Sequence, residues 1–223
     1  MKLVAILGSP HGMKGNTGTL LTEVVRGAER AGAAVATFSL ANHQVRPCCA
    51  CDTCHRTGAC SILDDQPKIK AAMHAADGII LASPNYLVSV SAQMKALMDR
   101  LCGPLHCQMF EGKYGAAVVT SGGGGGDEVE RYLLRFLRTL GCWTVGSVLA
   151  ETRQLTDPAA KAERLRAAEG LGRRLVEAAE KRETFPDQVQ DRAAFAGRMK
   201  QLVTAMKEVW SFEYEHWKAA GRQ

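Results

Sequence analysis

Short apolar runs alternate along most of the chain with longer segments in which apolar residues recur every three or four positions. Runs of about six apolar residues between turn residues are typical of buried strands, whereas the longer spacing is typical of amphipathic helices. The pattern predicts strands over residues 2–7, 34–40, 78–83, 114–120 and 143–150. It predicts helices over residues 16–31, 66–75, 91–102, 128–141 and 157 to about 182.

The regular alternation of predicted strands and helices favours a parallel sheet. Each parallel connection needs a crossover segment, and strands covered on both faces read as continuous apolar runs. We therefore expect an α/β fold in which a five-stranded parallel sheet carries helices on both faces. Residues 185–187 interrupt the pattern, and a last helical stretch, roughly residues 192–218, follows as a C-terminal helical extension.

The composition is typical of one compact domain, with 223 residues of which 46% are hydrophobic and 23% charged. Apolar runs such as residues 78–82 and 115–119 are far shorter than the ~20 residues of a membrane span, and the N-terminal run is too short for a signal peptide. We therefore expect a cytoplasmic protein with no membrane partner. The net charge of +5 is spread evenly, so we expect no nucleic-acid partner.

The first predicted strand ends in a glycine-rich loop, residues 8–15, that leads directly into a helix. Such a loop presents unpaired backbone N–H groups and the positive end of the helix dipole, which together hold an anion. The glycine spacing matches neither a dinucleotide-binding loop nor a Walker loop. The sequence therefore favours a single phosphate here, and an ordinary strand-to-helix turn is the alternative.

Two more loops follow predicted strands, residues 83–95 after the third and the glycine run 121–127 after the fourth. In open α/β sheets, ligands bind at the carboxyl ends of the strands near the point where strand order reverses. We expect all three loops to form one ligand site. Glycine permits close approach of a ligand because it has no Cβ, although the glycine run could also be only a flexible turn.

With these loops, the chain resembles the NADPH-dependent FMN reductase family of flavodoxin-like proteins over about its first 150 residues. The matching segments are residues 8–10, 15–17, 64–65, 76–78, 83–86, 91–95, 99–100 and the glycine run. The resemblance implies a flavodoxin-like FMN-binding domain over residues 1–183, with a cysteine-rich loop at 47–60. Residues 184–223 then form the C-terminal extension.

The resemblance also implies how FMN is bound. The residues that would hold its phosphate are Ser9, His11, Gly15, Asn16 and Thr17. Those that would lie along the isoalloxazine ring and ribityl chain are Pro84, Asn85, Tyr86, Leu87 and Val88. Those that would approach the pyrimidine end are Ser121, Gly122 and Gly123. No protein residue is expected to be catalytic because the flavin carries the chemistry, with NAD(P)H as a candidate electron donor.

Five of the eight cysteines lie within residues 48–60, and clustering of this kind favours a metal or redox site over disulfides. Closely spaced cysteines can wrap one iron–sulfur cluster, whereas a tetrathiolate zinc site more often uses two distant pairs. The motif resembles that of the iron–sulfur flavoprotein subgroup. That resemblance implies a [4Fe–4S] cluster on four of these cysteines, namely Cys48, Cys51, Cys54 and Cys60.

The other cysteines are given no such role. Cys49 is left as an extra thiol, and Cys102, Cys107 and Cys142 are interpreted as core or surface cysteines. The alternative for the loop itself is a set of packed or redox-active thiols without a cluster.

The sequence therefore predicts an FMN-dependent redox flavoprotein that carries a [4Fe–4S] cluster and transfers electrons between a reduced donor and an acceptor. One alternative is a cluster-free NAD(P)H-dependent FMN or quinone reductase. Another is a non-enzymatic thiol or zinc module that senses redox state.

The last helical stretch carries an apolar stripe that must be buried against something. The predicted sheet already has enough helices to cover both faces, although packing on that sheet is the alternative. Because Trp and Tyr are favoured at interfaces, we expect a homodimer or homotetramer whose subunits contact each other through residues 192–218. The stripe and its aromatic continuation comprise Phe195, Met199, Leu202, Val203, Met206, Val209, Trp210, Phe212, Tyr214 and Trp217.

Overall fold

The computed structural model describes residues 1–221, and its centre is a five-stranded parallel sheet. The strands lie in the order β2-β1-β3-β4-β5, and neighbouring strands pair in parallel throughout. The strands are β1 Lys2–Leu7, β2 Ala34–Ser39, β3 Gly78–Pro84, β4 Tyr114–Ser121 and β5 Trp143–Glu151. The predicted fold class and all predicted strands are confirmed.

Helices connect the strands and extend the chain beyond the sheet. Before β4 they are α1 Asn16–Arg30, α2 Thr53–Thr57, α3 Gln66–Ala75, α4 Ala92–Asp99 and α5 Cys102–His106. After β4 they are α6 Gly126–Thr139, α7 Thr152–Thr156, α8 Pro158–Glu180, α9 Pro186–Ala205 and α10 Ser211–Ala219. A 3-10 turn, Gly12–Lys14, precedes α1.

The sheet separates two hydrophobic cores because successive side chains of a strand point to opposite faces. Val4 and Ile6 of β1 belong to one core, which α3, α4 and α6 cover. Leu3, Ala5 and Leu7 belong to the other, which α1 and α8 cover. Helices therefore cover both faces, as the sequence predicts.

The predicted helix over residues 91–102 is wrong in one respect, since it is divided into α4 and α5. Pro104 has no N–H to donate to the carbonyl of Arg100, four residues earlier. The Nε2 of Gln66 donates to that carbonyl instead, at 3.0 Å. The backbone therefore leaves the helix at Arg100, and a new helix starts at Cys102.

The C-terminal extension is likewise two helices, α9 and α10, rather than one stretch. Part of its apolar stripe is buried within the chain, where Met199, Val203 and Trp217 form a small core with Leu105. The interpretation that a partner subunit buries the stripe is therefore wrong for these residues. Other apolar tail residues stay exposed, namely Val189, Leu202 and Val209.

Within residues 1–221, no helix is both long enough and apolar enough to cross a bilayer.

Helix α1, which carries the phosphate loop, is held against α8 by an unusually close contact. A Cβ on Gly27 would lie 2.0 Å from the carbonyl oxygen of Glu169, and a Cβ on Gly172 would lie 2.0 Å from that of Val24. Real Cβ atoms do not come this close to backbone, so the two helices meet only because both positions are glycine.

We expect Gly27→Ala to lower the free energy of unfolding by roughly 1–3 kcal/mol, because the methyl group forces α1 away from α8. Urea denaturation measures this change. The matched control is Gly170→Ala in α8, where no atom lies within 4 Å of the added Cβ. That control should gain up to about 1 kcal/mol from helix propensity, and equal stabilities of the two variants would contradict the close-packing argument.

Candidate functional site

Three loops meet at the carboxyl ends of β1, β3 and β4 and are tied together by hydrogen bonds. The N–H of Gly8 donates to the carbonyl of Ala82 at 2.7 Å, and the N–H of Asn85 donates to that of Thr120 at 2.6 Å. The hydroxyl of Ser91, the N-cap of α4, donates to the carbonyl of Gly8 at 2.5 Å. The loops therefore form one connected surface, as the sequence predicts.

The first loop presents free N–H groups at the start of α1. The first helical donor is Thr19, whose N–H reaches the carbonyl of Gly15 at 2.9 Å. The N–H groups of residues 16–18 thus have no partner within the helix, which is the usual basis of an anion site. Asn16 and His11 are exposed beside them, while Ser9 is buried and accepts the N–H of His11 at 3.3 Å.

Thr17 is placed differently from the other phosphate-loop residues. Its hydroxyl forms a buried 2.6 Å hydrogen bond with the hydroxyl of Thr120 in β4. The side chain therefore anchors α1 to the sheet, and its hydroxyl is not directed at the start of the helix where an anion could bind.

The second loop is a tight turn with a strained and exposed tip. Tyr86 and Ser89 pair through two backbone hydrogen bonds of 2.9 and 3.1 Å. Between them, Leu87 and Val88 have φ values of 51° and 60°, and Leu87 is 99% exposed. A left-handed conformation costs an L-residue roughly 1–2 kcal/mol, and such strain is typical of ligand sites. Apolar side chains are thus presented where the family resemblance places the flavin.

The third loop leaves open space. No heavy atom lies within 4 Å of a Cβ built on Gly122 or Gly123. Asn85 donates from Nδ2 to the carbonyl of Gly124 at 3.0 Å, and its buried Oδ1 has no hydrogen-bond partner among the described residues. A flat ring with hydrogen-bonding edges fits this opening, so the residues fit FMN.

The cysteine-rich loop encloses a cavity of about 190 Å³ that all four predicted ligands line, namely Cys48, Cys51, Cys54 and Cys60. Cys49 also lines it. The loop reaches this shape through left-handed residues, since Ala50 and Asp52 have φ values of 52° and 56°. Each iron of a [4Fe–4S] cluster takes one thiolate, so four cysteines around one cavity fit such a group.

The thiols of this loop differ in acidity. Hydrogen bonds from the hydroxyl of Ser61, at 3.2 Å, and from Thr53 lower the pKa of Cys51 to about 6. Burial, followed by the neighbouring thiols Cys102 and Cys60, raises the pKa of Cys54 to about 11. Cys51 is therefore ready as a thiolate near neutral pH, whereas Cys54 needs a bound cation to hold it in that form.

A buried arginine fixes the end of this loop. Arg100 forms an ion pair with Asp64, both side chains being almost fully buried. It also donates from Nη2 to the sulfur of Cys60 at 3.2 Å and from Nη1 to the carbonyl of Arg46 at 3.2 Å. Since Ser91 caps the other end of α4, this helix of eight residues spans from the flavin loops to the cysteine loop.

A group of residues beside the cysteine cavity has no counterpart in the sequence predictions. The sulfur of Cys102 lies 3.4 Å from Nε2 of His106. Glu213, fully buried, accepts from Nδ1 of His55 at 2.5 Å and from Nδ1 of His106 at 2.9 Å. Cys102 and His55 also line the cysteine cavity. The one available sequence signal is that Cys102 and His106 are four residues apart, on one helix face.

Hydrogen bonds within this group shift the pKa values of its two histidines and of Cys102 toward their charged forms. Hydrogen bonds to Cys102 and Glu213 raise the pKa of His55 to about 10. Burial opposes ionisation of His106 and Cys102, but their mutual hydrogen bond raises the pKa of His106 to about 9 and lowers that of Cys102 to about 7. Cys102 has no role in the sequence predictions, and the structure places it, half-buried, in this group beside His106. Cys107 and Cys142 are buried.

The strand order and the three converging loops define a flavodoxin-like protein, in which FMN binds where the strand order reverses. Solved structures agree on the fold. A flavone reductase matches with a TM-score of 0.65 at 17% identity, covering 81% of this chain and 63% of its own. An archaeal flavodoxin matches with a TM-score of 0.55 at 18% identity, covering 81% of this chain and 99% of its own.

The model of the NADPH-dependent FMN reductase family matches residues 1–155, so the chain belongs to that family. An iron–sulfur flavoprotein from Archaeoglobus fulgidus is 32% identical over 99% of both chains. Another from Methanocaldococcus jannaschii is 44% identical over 100 residues, covering 45% of this chain and 51% of the relative. The protein is an FMN-dependent redox flavoprotein, a flavin-dependent oxidoreductase that exchanges electrons with redox partners.

We expect Arg100→Met to lower the free energy of unfolding by about 3–5 kcal/mol, because it leaves the buried carboxylate of Asp64 without its partner. The matched control is Lys95→Met on the same helix, since Lys95 pairs with Asp99 in an ion pair whose side chains are about half exposed. That control should cost less than ~1 kcal/mol. Urea denaturation compares the two, and similar losses would contradict a structural role for the buried pair.

Proposed function

We propose that the cysteine loop carries a [4Fe–4S] cluster and that the protein passes electrons between FMN and this cluster. The ligands are Cys48, Cys51, Cys54 and Cys60. The observation that carries the proposal is helix α4, which begins on the flavin loops through Ser91 and ends on the cysteine loop through Arg100. Eight residues of helix span ~12 Å, so one rigid element fixes the two sites close to each other.

The residue types around the cavity support a cluster rather than a hydrolytic metal site. Six cysteines line one space, the four proposed ligands among them, and Arg100 donates a hydrogen bond to the sulfur of Cys60. Hydrogen bonds and nearby charge at cluster sulfurs are among the means by which a protein sets the reduction potential. A relative that matches over 99% of both chains is named an iron–sulfur flavoprotein, which agrees with this assignment.

For FMN, the proposed contacts follow the three loops. The free N–H groups of residues 16–18 bind the phosphate, and Ser9, His11 and Gly15 shape the loop around it. The turn carrying Leu87 and Val88 covers the ring, flanked by Pro84, Asn85 and Tyr86, while Ser121, Gly122 and Gly123 admit its pyrimidine end. When bound, FMN supplies both two-electron and one-electron chemistry, with NAD(P)H as the proposed electron donor.

The exposed apolar residues of the tail support assembly of more than one chain. Within residues 192–218, Leu202 and Val209 are 36% and 48% exposed. We propose that they form the contact of a homodimer or homotetramer, and light scattering that gives a monomer mass would contradict this. The eight cysteines form no disulfide, which fits a reducing compartment such as the cytoplasm. The evenly spread net charge of +5 fits a protein with no nucleic-acid partner.

We expect Cys51→Ala to remove iron and acid-labile sulfide while FMN stays bound, because the thiol loop and the phosphate loop follow different strands. Iron, sulfide and flavin are measured on protein purified without oxygen. The matched control is Cys49→Ala, which removes a thiol of the same cavity and should change neither cofactor. Equal iron in the wild type and in Cys51→Ala would exclude Cys51 as a ligand and favour a cluster-free reductase.

We expect Asn16→Ala to weaken FMN binding about tenfold or more, because it removes the side-chain amide of Asn16 as a donor to the phosphate, and a hydrogen bond to a charged group contributes about 1.5–3 kcal/mol. Fluorescence titration of the apoprotein with FMN measures the dissociation constant. Gln190→Ala removes an exposed amide from α9 and serves as the control. An unchanged dissociation constant for Asn16→Ala would contradict the phosphate assignment.

A further inference from the structure

Cys102, His55 and His106 form a compact group of potential metal ligands separate from the four loop cysteines. One ligand atom from each lies within 4.8 Å of the others. His55 and Cys102 line the cysteine cavity, and His55 and His106 are buried. We propose that this triad is a second metal site, a zinc centre with one sulfur and two nitrogen ligands.

The geometry matches zinc before any metal is added. Zinc binds nitrogen at about 2.0–2.1 Å and sulfur at about 2.3 Å, so a tetrahedral centre places these two ligands about 3.5 Å apart. The distance between Cys102 Sγ and His106 Nε2 is 3.4 Å. Zinc binds cysteine as the thiolate, so the thiol proton of Cys102 is released when the metal binds.

The residues around the triad resemble the support that metal-binding histidines normally have. A carboxylate that accepts the second N–H of a histidine fixes the ring and its tautomer. Glu213 does this for both rings through its two oxygens, at 2.5 and 2.9 Å. The indole of Trp210 stacks on both imidazoles, with centroids 4.6 and 4.9 Å away. The rings are therefore held in place before binding.

The site would join three separate parts of the chain. His55 lies in α2 of the cysteine loop, Cys102 and His106 lie in α5, and Glu213 brings in α10. Cys54 and His55 are neighbours in α2, and successive helix positions point about 100° apart. One can therefore serve the cluster while the other serves zinc. Three protein ligands leave a fourth position open to the cavity.

The test uses the full chain, loaded with FMN and cluster under nitrogen, given zinc chloride and desalted. We expect one zinc per chain by elemental analysis and, by zinc X-ray absorption, a shell of one sulfur and lighter atoms. Cys102→Ala should lose this zinc while keeping iron and FMN, and it leaves the bonds of Glu213 intact. Cys49→Ala, which removes a thiol of the same cavity, should keep it.

A second variant tests the supporting carboxylate. Glu213→Gln should weaken zinc binding about 10–100-fold without removing a ligand. Any of three results would overturn the proposal: no zinc in the wild type, a zinc shell made only of sulfur, or equal zinc in Cys102→Ala and the wild type. The two histidines and Glu213 would then serve only to hold α10 against α2 and α5. Zinc with the expected shell in protein that binds no iron would support this site while contradicting the cluster, so the two proposals fail separately.

Discussion

The parallel direction of the strands is the constraint on which both proposed redox sites depend. Because every strand runs the same way, the loops after β1, β2, β3 and β4 all emerge at one edge of the sheet. The flavin loops follow β1, β3 and β4, and the cysteine loop follows β2, which is next to β1. An antiparallel sheet would send alternate loops to opposite edges and separate the two groups of residues.

Most of the sheet and the flavin surface could be predicted from sequence because the relevant signals are local. Buried parallel strands read as apolar runs. The glycine-rich loop that ends just before Asn16 marks the start of α1 in the sequence itself. The division between α4 and α5 could not be predicted in the same way. Pro104 is visible in the sequence, but the rescue of the Arg100 carbonyl by Gln66 joins residues 34 positions apart.

The four loop cysteines and the Cys102 group differ in the same way. Local spacing indicates the first, whereas contacts between distant residues assemble the second. Spacing alone indicates four thiols in one loop, and the structure places them around one cavity. Spacing gives no sign that Cys102 joins them, or that Glu213, which is 158 residues from His55, approaches the same space. From the aromatic residues of the tail, the sequence predicts a surface for a partner subunit. In the structure, Trp210 instead stacks on His55, and Trp217 donates to the carbonyl of His106.

A fully buried carboxylate explains why the tail adopts this position. Removing a charge from water costs several kcal/mol unless hydrogen-bond partners replace the lost hydration. For Glu213, two imidazoles supply these hydrogen bonds. Neither histidine lies in the tail, so α10 can bury Glu213 only by docking on α2 and α5. The ring of Phe212 then lies where a side chain on Gly58 would be, 2.5 Å from a built Cβ. The cysteine loop therefore takes its shape in part from residues at the far end of the chain.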